Sequence, residues 1–439
     1  MKTKKPVMII IASIGLAFVS FFCALTIIGI VNQISPEDGK VEFFGIDAVK
    51  ATTTETLTID STNLTEVRFE LDISDIEITG GEDDKITLEL FKTGWANTAE
   101  EAERAVNELS LEQELRGEKL TFTMSRKSKL RVFPIQSRAD TIDISLSIPR
   151  DMKISLQINS GQITASNFKG NLSIVNKFGN TSIVNFSGGL TIGSDNGNIT
   201  ITSLSVNQLV SLSSKFGDIF IREINAPEIR IENHNGKLNL HEVSVSGDCL
   251  LTSDFTNIEI DSIECGTLAV ESKNGQIELH HGEILGPLII TTDFGDMSVK
   301  DLTAESYNFT SHNGIIYADT LQGAATINGN FGNIELYSQD KVILNVENQD
   351  GDVYFQGLLS SQAEHSVHST SGKIEFHIPA DSSFDLYLSS DFGKIETEFP
   401  LNLTGEFNPN KMEGQINSGG PLLTLESKNG DITLDFIKN

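Results

Sequence analysis

Across the second half of the chain, apolar and polar positions alternate in short runs that break at a small turn and resume about nineteen residues later. The octet SDNGNITI begins at Ser194, SSKFGDIF at Ser213, NHNGKLNL at Asn233, SDFTNIEI at Ser253, SKNGQIEL at Ser272, TDFGDMSV at Thr292 and SKNGDITL at Ser427. Aligned on the residue before the turn glycine, Asn196, Asn235, Asn274 and Asn313 fall at intervals of 39, 39 and 39, and Phe216, Phe255, Phe294 and Phe331 interleave with them at 39, 39 and 37. The unit is therefore 18 to 21 residues, with a superimposed alternation of Asn-Gly and Phe-Gly turns, a period that marks a stacked repeat. One octet departs, with Thr256 in place of the glycine.

Three residues past the aligned position the chain reads Ile163, Thr181, Ile199, Ile219, Leu238, Ile258, Ile277, Met297, Ile316, Ile334, Val353, Ile374, Ile395 and Ile432, apolar everywhere but Thr181. A polar residue usually follows, as at Thr200, Asn239, Glu259 and Glu278, so these are strands with one buried and one wet face. Two strands and two bends per unit, without helices, predict an all-β fold: a single-stranded β-solenoid (β-helix) of about 14 coils, each resting on the next at ~4.8 Å. Glycine then supplies a corner with positive φ. An antiparallel meander of Asn-Gly hairpins would use the strongest short hairpin signal, but Phe-Gly does not suit that turn and a coil corner tolerates it.

Residues 55–150 are less regular and predict a capping region of degenerate strands. It carries one helix over residues 98–109 (TAEEAERAVNEL), with Thr98 as cap and Glu101 completing a capping box, and a basic loop over 125–138. Residues 151–439 form the repeat region, irregular again around Pro400, Pro409 and Pro421. At the other end, residues 7–31 are 25 uncharged, mostly apolar positions, enough to cross a ~30 Å hydrocarbon core as a helix. Lys2, Lys4 and Lys5 precede this span and Glu37 and Asp38 follow it. The expectation is an uncleaved single-pass anchor with residues 1–6 in the cytoplasm, 32–54 as linker, and the remainder extracytoplasmic. A cleaved signal peptide would have a shorter apolar stretch, and a lipoprotein through Cys23 would want a small residue where Phe22 stands.

Charge narrows the partners. The chain holds 32 Lys plus Arg against 61 Asp plus Glu, net -29, and such a polyanion repels nucleic acid and anionic lipid surfaces. The three cysteines, Cys23, Cys249 and Cys265, are too few for a disulfide framework and have no zinc spacing. Cys249 falls at an inward position equivalent to Leu268, whereas Cys265 is expected in a loop between strands. The column Arg222, His241, Asp261, His280, Lys300, Asp319 reads as a solvated ladder of paired charges rather than a metal or catalytic site. His234 and His312, four coils apart, are too distant to share a metal. Asp195, Asp218, Asp254, Asp293, Asp296, Asp352 and Asp431 flank the turns. Calcium-binding β-rolls use a nine-residue repeat with paired glycines that is lacking here, so these aspartates read as turn formers. No catalytic, cofactor-binding or metal-ligating residue is assigned.

An N-terminal anchor, the insertion GWANTAEEAERAVNEL from Gly94, and tandem S-x-x-G-D/N-I repeats together resemble a bacterial family of β-strand-repeat domains of unknown function. That family is labelled putative adhesin and includes LiaG-like membrane proteins linked to cell-envelope stress. The resemblance spans roughly residues 55–439 and implies a β-solenoid ectodomain facing the envelope, with no catalytic residues to carry over. The function expected is a non-enzymatic, membrane-anchored surface protein, an adhesin or envelope sensor, whose partners are envelope or extracellular macromolecules. A polysaccharide-cleaving β-helix is the alternative from another class, but its groove requires long loops and the connections here are short. A self-assembling scaffold similar to bactofilins is a third, against which the irregular ends and external location argue.

Overall fold

The structure is a computed structural model that describes residues 42–43, 46–47, 49–82, 84–126, 139–404 and 408–437. The expected anchor at residues 7–31 and most of the basic loop lie outside these residues. Among the described residues no helix is long and apolar enough to cross a membrane. Among the described residues two compact units are present: residues 49–55, 90–111, 125–126 and 139–142 belong to one, and residues 56–82, 84–89, 112–124, 143–404 and 408–437 to the other.

The larger unit is the solenoid. Strands before each glycine corner, such as Lys153–Ser160, Leu172–Phe178, Leu190–Asn196 and Val210–Phe216, pair in parallel one above the next. Strands after the corner, Ile163–Phe168, Thr181–Phe186, Ile199–Ser205 and Ile219–Ala226, make a second parallel ladder. Ile258 and Ile277 are direct neighbours, and the aliphatic column from Ile163 to Val353 is buried throughout. Parallel ladders with an alternating in-out pattern require like residues to stack at ~4.8 Å, and this column is the resulting seam.

The octet motif resolves into four jobs. Its first residue points inward at the corner: Asn176 Nδ2 donates to the carbonyls of Gly161 (2.9 Å) and Gly179 (3.0 Å), and Ser194 Oγ to that of Gly197 (3.3 Å). The glycine turns with φ of +144° at Gly197 and +152° at Gly217. A Cβ at Gly217 would stand 2.2 Å from the Gly197 carbonyl oxygen, so the close approach of stacked corners excludes side chains independently of φ. The Asp or Asn that follows accepts the backbone N–H of its counterpart one coil on: Asn198 to Asn180 Oδ1 (2.9 Å), Asp218 to Asn198 Oδ1 (2.9 Å), Lys237 to Asp218 Oδ1 (2.8 Å). The next residue, usually Ile, fills the core. Thr256 does without positive φ, and its buried hydroxyl donates to the Asn233 carbonyl at 2.8 Å.

A second bend uses residues the sequence does not single out. Asn167, Asn185, Ser203, Glu223, Glu242, Ser262, His281 and Asp301 all lie at φ between 49° and 62°, a left-handed column built without glycine.

The coil count differs from expectation. The solenoid makes about 11 turns, not about 14, and coils that follow one another in the chain stack in order from Lys153 to Ile378. The reason is that the last octets leave chain order: the coil beginning at His365 rests on Leu422–Ser427, which in turn rests on Phe384–Ser390. Lys411–Ile416 then pairs antiparallel with Phe384–Ser390 and covers that open edge, as an exposed ladder end requires. The other end is also out of order, since Glu66–Ile73 is sandwiched between Lys153–Ser160 and Lys119–Arg126, with Phe122 stacked on Phe69 at 4.9 Å.

In the smaller unit, helix Ala99–Glu108 starts where Thr98 Oγ1 accepts the Glu101 N–H at 3.3 Å. It packs so tightly on Gly94 that a Cβ there would meet the Val106 nitrogen at 2.7 Å. The Trp95 N–H donates to Asp140 Oδ1 at 2.8 Å, and Lys50 Nζ lies 5.9 Å from the Trp95 ring centre.

Candidate binding face

Beyond Met297 the outward positions of the second ladder change character. One outward column runs Ser298, Tyr317, Glu335, Tyr354, Glu375, and its neighbour Tyr337, Gln356, His377. Diagonal neighbours across a ladder lie within reach of aromatic side chains. The rings accordingly form a strip: Tyr317 to Tyr337 at 5.9 Å, Tyr337 to Tyr354 at 5.6 Å and Tyr354 to His377 at 5.4 Å between centroids. Lys300 Nζ continues it, 5.4 Å from the Tyr317 ring centre.

Beside the strip lies a cavity of about 320 Å3 lined by Tyr317, Asp319, Tyr337, Gln339, Gln356 and Ile437, with Ser338 and Gly357. It opens where the register slips between Ser338 and Val342. At the slip the Leu358 N–H donates to Ser338 Oγ at 2.8 Å, and that hydroxyl occupies the space a side chain at Gly357 would need. The surroundings are negative. Burial, then the charges of Asp319, Glu335 and Asp301, push the Tyr317 phenol above its ordinary value. Tyr337 is pushed up by burial and by donating to the Glu335 carboxylate, and Tyr354 by burial and by Glu375 and Glu335. All three phenols are therefore neutral, and their faces carry the ring quadrupole into an acceptor-rich groove.

The residues weighed in the sequence are occupied elsewhere. Arg222 stands opposite His241, and Asp261 opposite His280, which stands opposite Lys300, while His280 Nε2 lies 3.7 Å from Glu278. Asp261 takes His241 Nδ1 at 3.0 Å on one oxygen and His281 Nδ1 at 2.8 Å on the other. His281, unmarked in the sequence, reaches Asp261 because it sits at a left-handed bend. Asp261 is held below the usual carboxylate range by that bond, against burial, and His281 is raised by it. His234 pairs with Asp254 at 2.6 Å and His312 with Asp293 at 3.0 Å.

The turn aspartates have structural work. Asp218, Asp296, Asp352 and Asp431 each accept a backbone N–H from the neighbouring coil, while Asp195 pairs with Lys215 and Asp254 also with Lys273. Among the described residues no group of three or more His, Cys, Asp or Glu is placed to hold a metal. Phe178, Phe216, Phe255, Phe294 and Phe331 stay exposed, with Asn196 and Asn274 between them in one corner column. The expected loop position of Cys265 is corrected: it pairs with Ile284 inside the ladder and is 2% exposed, because the third side of the coil also alternates inward. Cys249 and Cys265 are both free, and burial pushes the Cys265 thiol up to about 12 and raises Cys249 too.

The tyrosines carried a signal that alternation alone hides. The chain has 5 tyrosines, and Tyr317, Tyr337 and Tyr354 fall on the outward side of consecutive coils.

A sequence profile described as Toastrack DUF4097 matches residues 64–285 and again 251–435. No curated protein matches the chain. Among solved structures, a putative cell adhesion protein from Clostridium sporogenes ATCC 15579 is similar at 8% identity, covering 88% of this chain and 100% of that one, with a TM-score of 0.19. A putative adhesin from Bacteroides fragilis NCTC 9343 is similar at 15% identity over 60% of this chain and 95% of that one, TM-score 0.30. One from Parabacteroides merdae ATCC 43184 is 12% identical over 74% and 95%, TM-score 0.22.

Proposed function

The chain belongs to the Toastrack DUF4097 family, and on that premise we propose that it is a non-enzymatic surface protein, an adhesin or envelope-sensing component. Residues 7–31 would anchor it in the cytoplasmic membrane with its N-terminus inside and the solenoid extracytoplasmic. The apolar span and the lysines before it support the anchor. The observation that carries the binding role is the tyrosine strip with its cavity: three partly exposed aromatic rings that meet diagonally on consecutive coils of a parallel ladder. A parallel stack of this kind makes a fixed platform, and presenting such a face orders few groups on binding, which favours recognition. The charge and histidine ladders are explained by coil-to-coil pairing.

The experiment incubates the full chain, in detergent, with pectin, chitosan and peptidoglycan fragments, and measures both retained polymer and new reducing ends. Retention without cleavage supports the proposal. New reducing ends would make the protein a polysaccharide-active enzyme, and no retention of any envelope polymer would overturn the binding role.

A further inference from the structure

We propose that the groove flanked by Tyr317, Tyr337 and Tyr354 binds an organic cation, an ammonium, alkylammonium or guanidinium group carried by a partner molecule. This deepens, and rests on, the binding-face reading above.

Four observations converge. Aromatic faces attract cations through the ring quadrupole, and the protein's own Lys300 ammonium already lies over Tyr317 at 5.4 Å. Second, the charge around the groove is unbalanced in the same sense. Asp319 lines it, Glu335 stands in the column between Tyr317 and Tyr354, and Asp301 adds a third carboxylate close enough to act on Tyr317, while the Lys300 ammonium offsets one of the three. Glu375, further along, is matched by Lys373 at 2.8 Å and His377 at 3.3 Å. Third, the hydroxyl protons of two of the tyrosines are already committed to acceptors. The Tyr337 hydroxyl is donated to Glu335, and the Tyr354 hydroxyl to Gln356 Oε1 at 2.8 Å, so these tyrosines offer an incoming group ring faces and carboxylates rather than free phenol protons. An anion would meet repulsion from the groove and from a chain of net charge -29. Fourth, about 320 Å3 is the size of a site for one small group and its alkyl surround, at the low end for ligand pockets.

The same chemistry occurs in a free alkylammonium compound and in the side chain of a Lys- or Arg-bearing peptide, and calorimetry on the full chain in detergent distinguishes them. The probes are tetramethylammonium, its neutral isostere tert-butanol, a capped Arg-containing tetrapeptide and a neutral N-acetylglucosamine tetramer. Saturable binding of tetramethylammonium or the peptide is expected, and none of tert-butanol. Tyr337→Leu should weaken it roughly 5- to 30-fold, the range for a cation–π contact between half-exposed and desolvated settings. Tyr337→Phe keeps the ring and should keep the affinity, and Asp319→Asn should weaken binding with the rings intact. Should Tyr337→Leu lose the native circular dichroism, Tyr317→Leu takes its place.

Equal cation affinity in Tyr337→Leu and the native chain would reveal diffuse attraction to an acidic surface and overturn the proposal. So would binding of the oligosaccharide in preference to the cations, or no binding by any probe. If envelope polymer is still retained when no cation binds, the ligand class falls and the surface-binding role stands; if neither binds, both fall.

Discussion

Replacing Gly217 by Ala probes the corner geometry on which the stack depends. At φ +152° a residue with a side chain is strained, and its Cβ would stand 2.2 Å from the Gly197 oxygen and 2.7 Å from the Gly197 carbonyl carbon. Both contacts are with backbone, so relief means prising two corners apart. The bonds at stake are Gly217 N–H to the Asn235 carbonyl and Gly197 N–H to the Phe216 carbonyl, each 3.0 Å. Strain of roughly 1–3 kcal/mol, two weakened hydrogen bonds at about 0.5–1.5 kcal/mol each and an offset of about 0.4–1 kcal/mol from the stiffer unfolded chain leave a net loss of roughly 1–6 kcal/mol. Gly193 is the control, because a Cβ there meets nothing nearer than 4.0 Å and its φ is not positive. Gly193→Ala should be neutral or stabilise by up to about 1 kcal/mol. Urea unfolding gives the totals, and hydrogen exchange at Gly197, Gly217 and Ile219 shows where protection is lost. If Gly217→Ala costs no more than Gly193→Ala, contact between stacked corners is not what selects glycine.

Thr181 is buried at 1% exposure and its hydroxyl has no hydrogen-bond partner, so Thr181→Val should stabilise by roughly 1 kcal/mol in urea unfolding. Asp218→Ala removes the acceptor of the Lys237 N–H and should cost about 1–2 kcal/mol. Asp218→Asn should recover most of that by the same measurement, since Asn198 does the equivalent job one coil earlier. His365 is buried, accepting the Leu344 N–H on Nδ1 at 3.2 Å and donating from Nε2 to the Ser360 carbonyl at 2.8 Å, and burial lowers its pKa below 6.5. Its unfolded form then binds a proton first, so this contribution is whole above 6.5 and is lost as pH falls from there toward the depressed folded value. An NMR titration placing His365 at or above its ordinary value would contradict this.

The sequence made the repeat legible because each motif position answers to a separate physical demand: an inward aliphatic, a corner with no room for Cβ, a side chain that accepts an N–H one coil away. Those demands recur at every layer, so the pattern repeats. Glu223, Glu242 and His281 escaped notice because a lone left-handed residue costs only about 1–2 kcal/mol, too little to force one residue type. Cys265 was misplaced because the third side of each coil is too short for its alternation to stand out. The tyrosine strip was hidden by its zigzag, since rings that meet in space come from two columns and neither alone looks aromatic. The disorder of the final coils has a different cause: a strand that pairs with a distant layer carries the same local pattern as one that pairs with the next.

That rearranged finish has a topological result. Most stacked rods can fray from the tail, one layer after another. Here Ile432–Phe436 is clamped between Ile374–Ile378 and Ile395–Thr397, so a strand that follows both in the chain closes the gap between two layers made from earlier segments. Removing that strand would open the stack from within, which makes it a keystone.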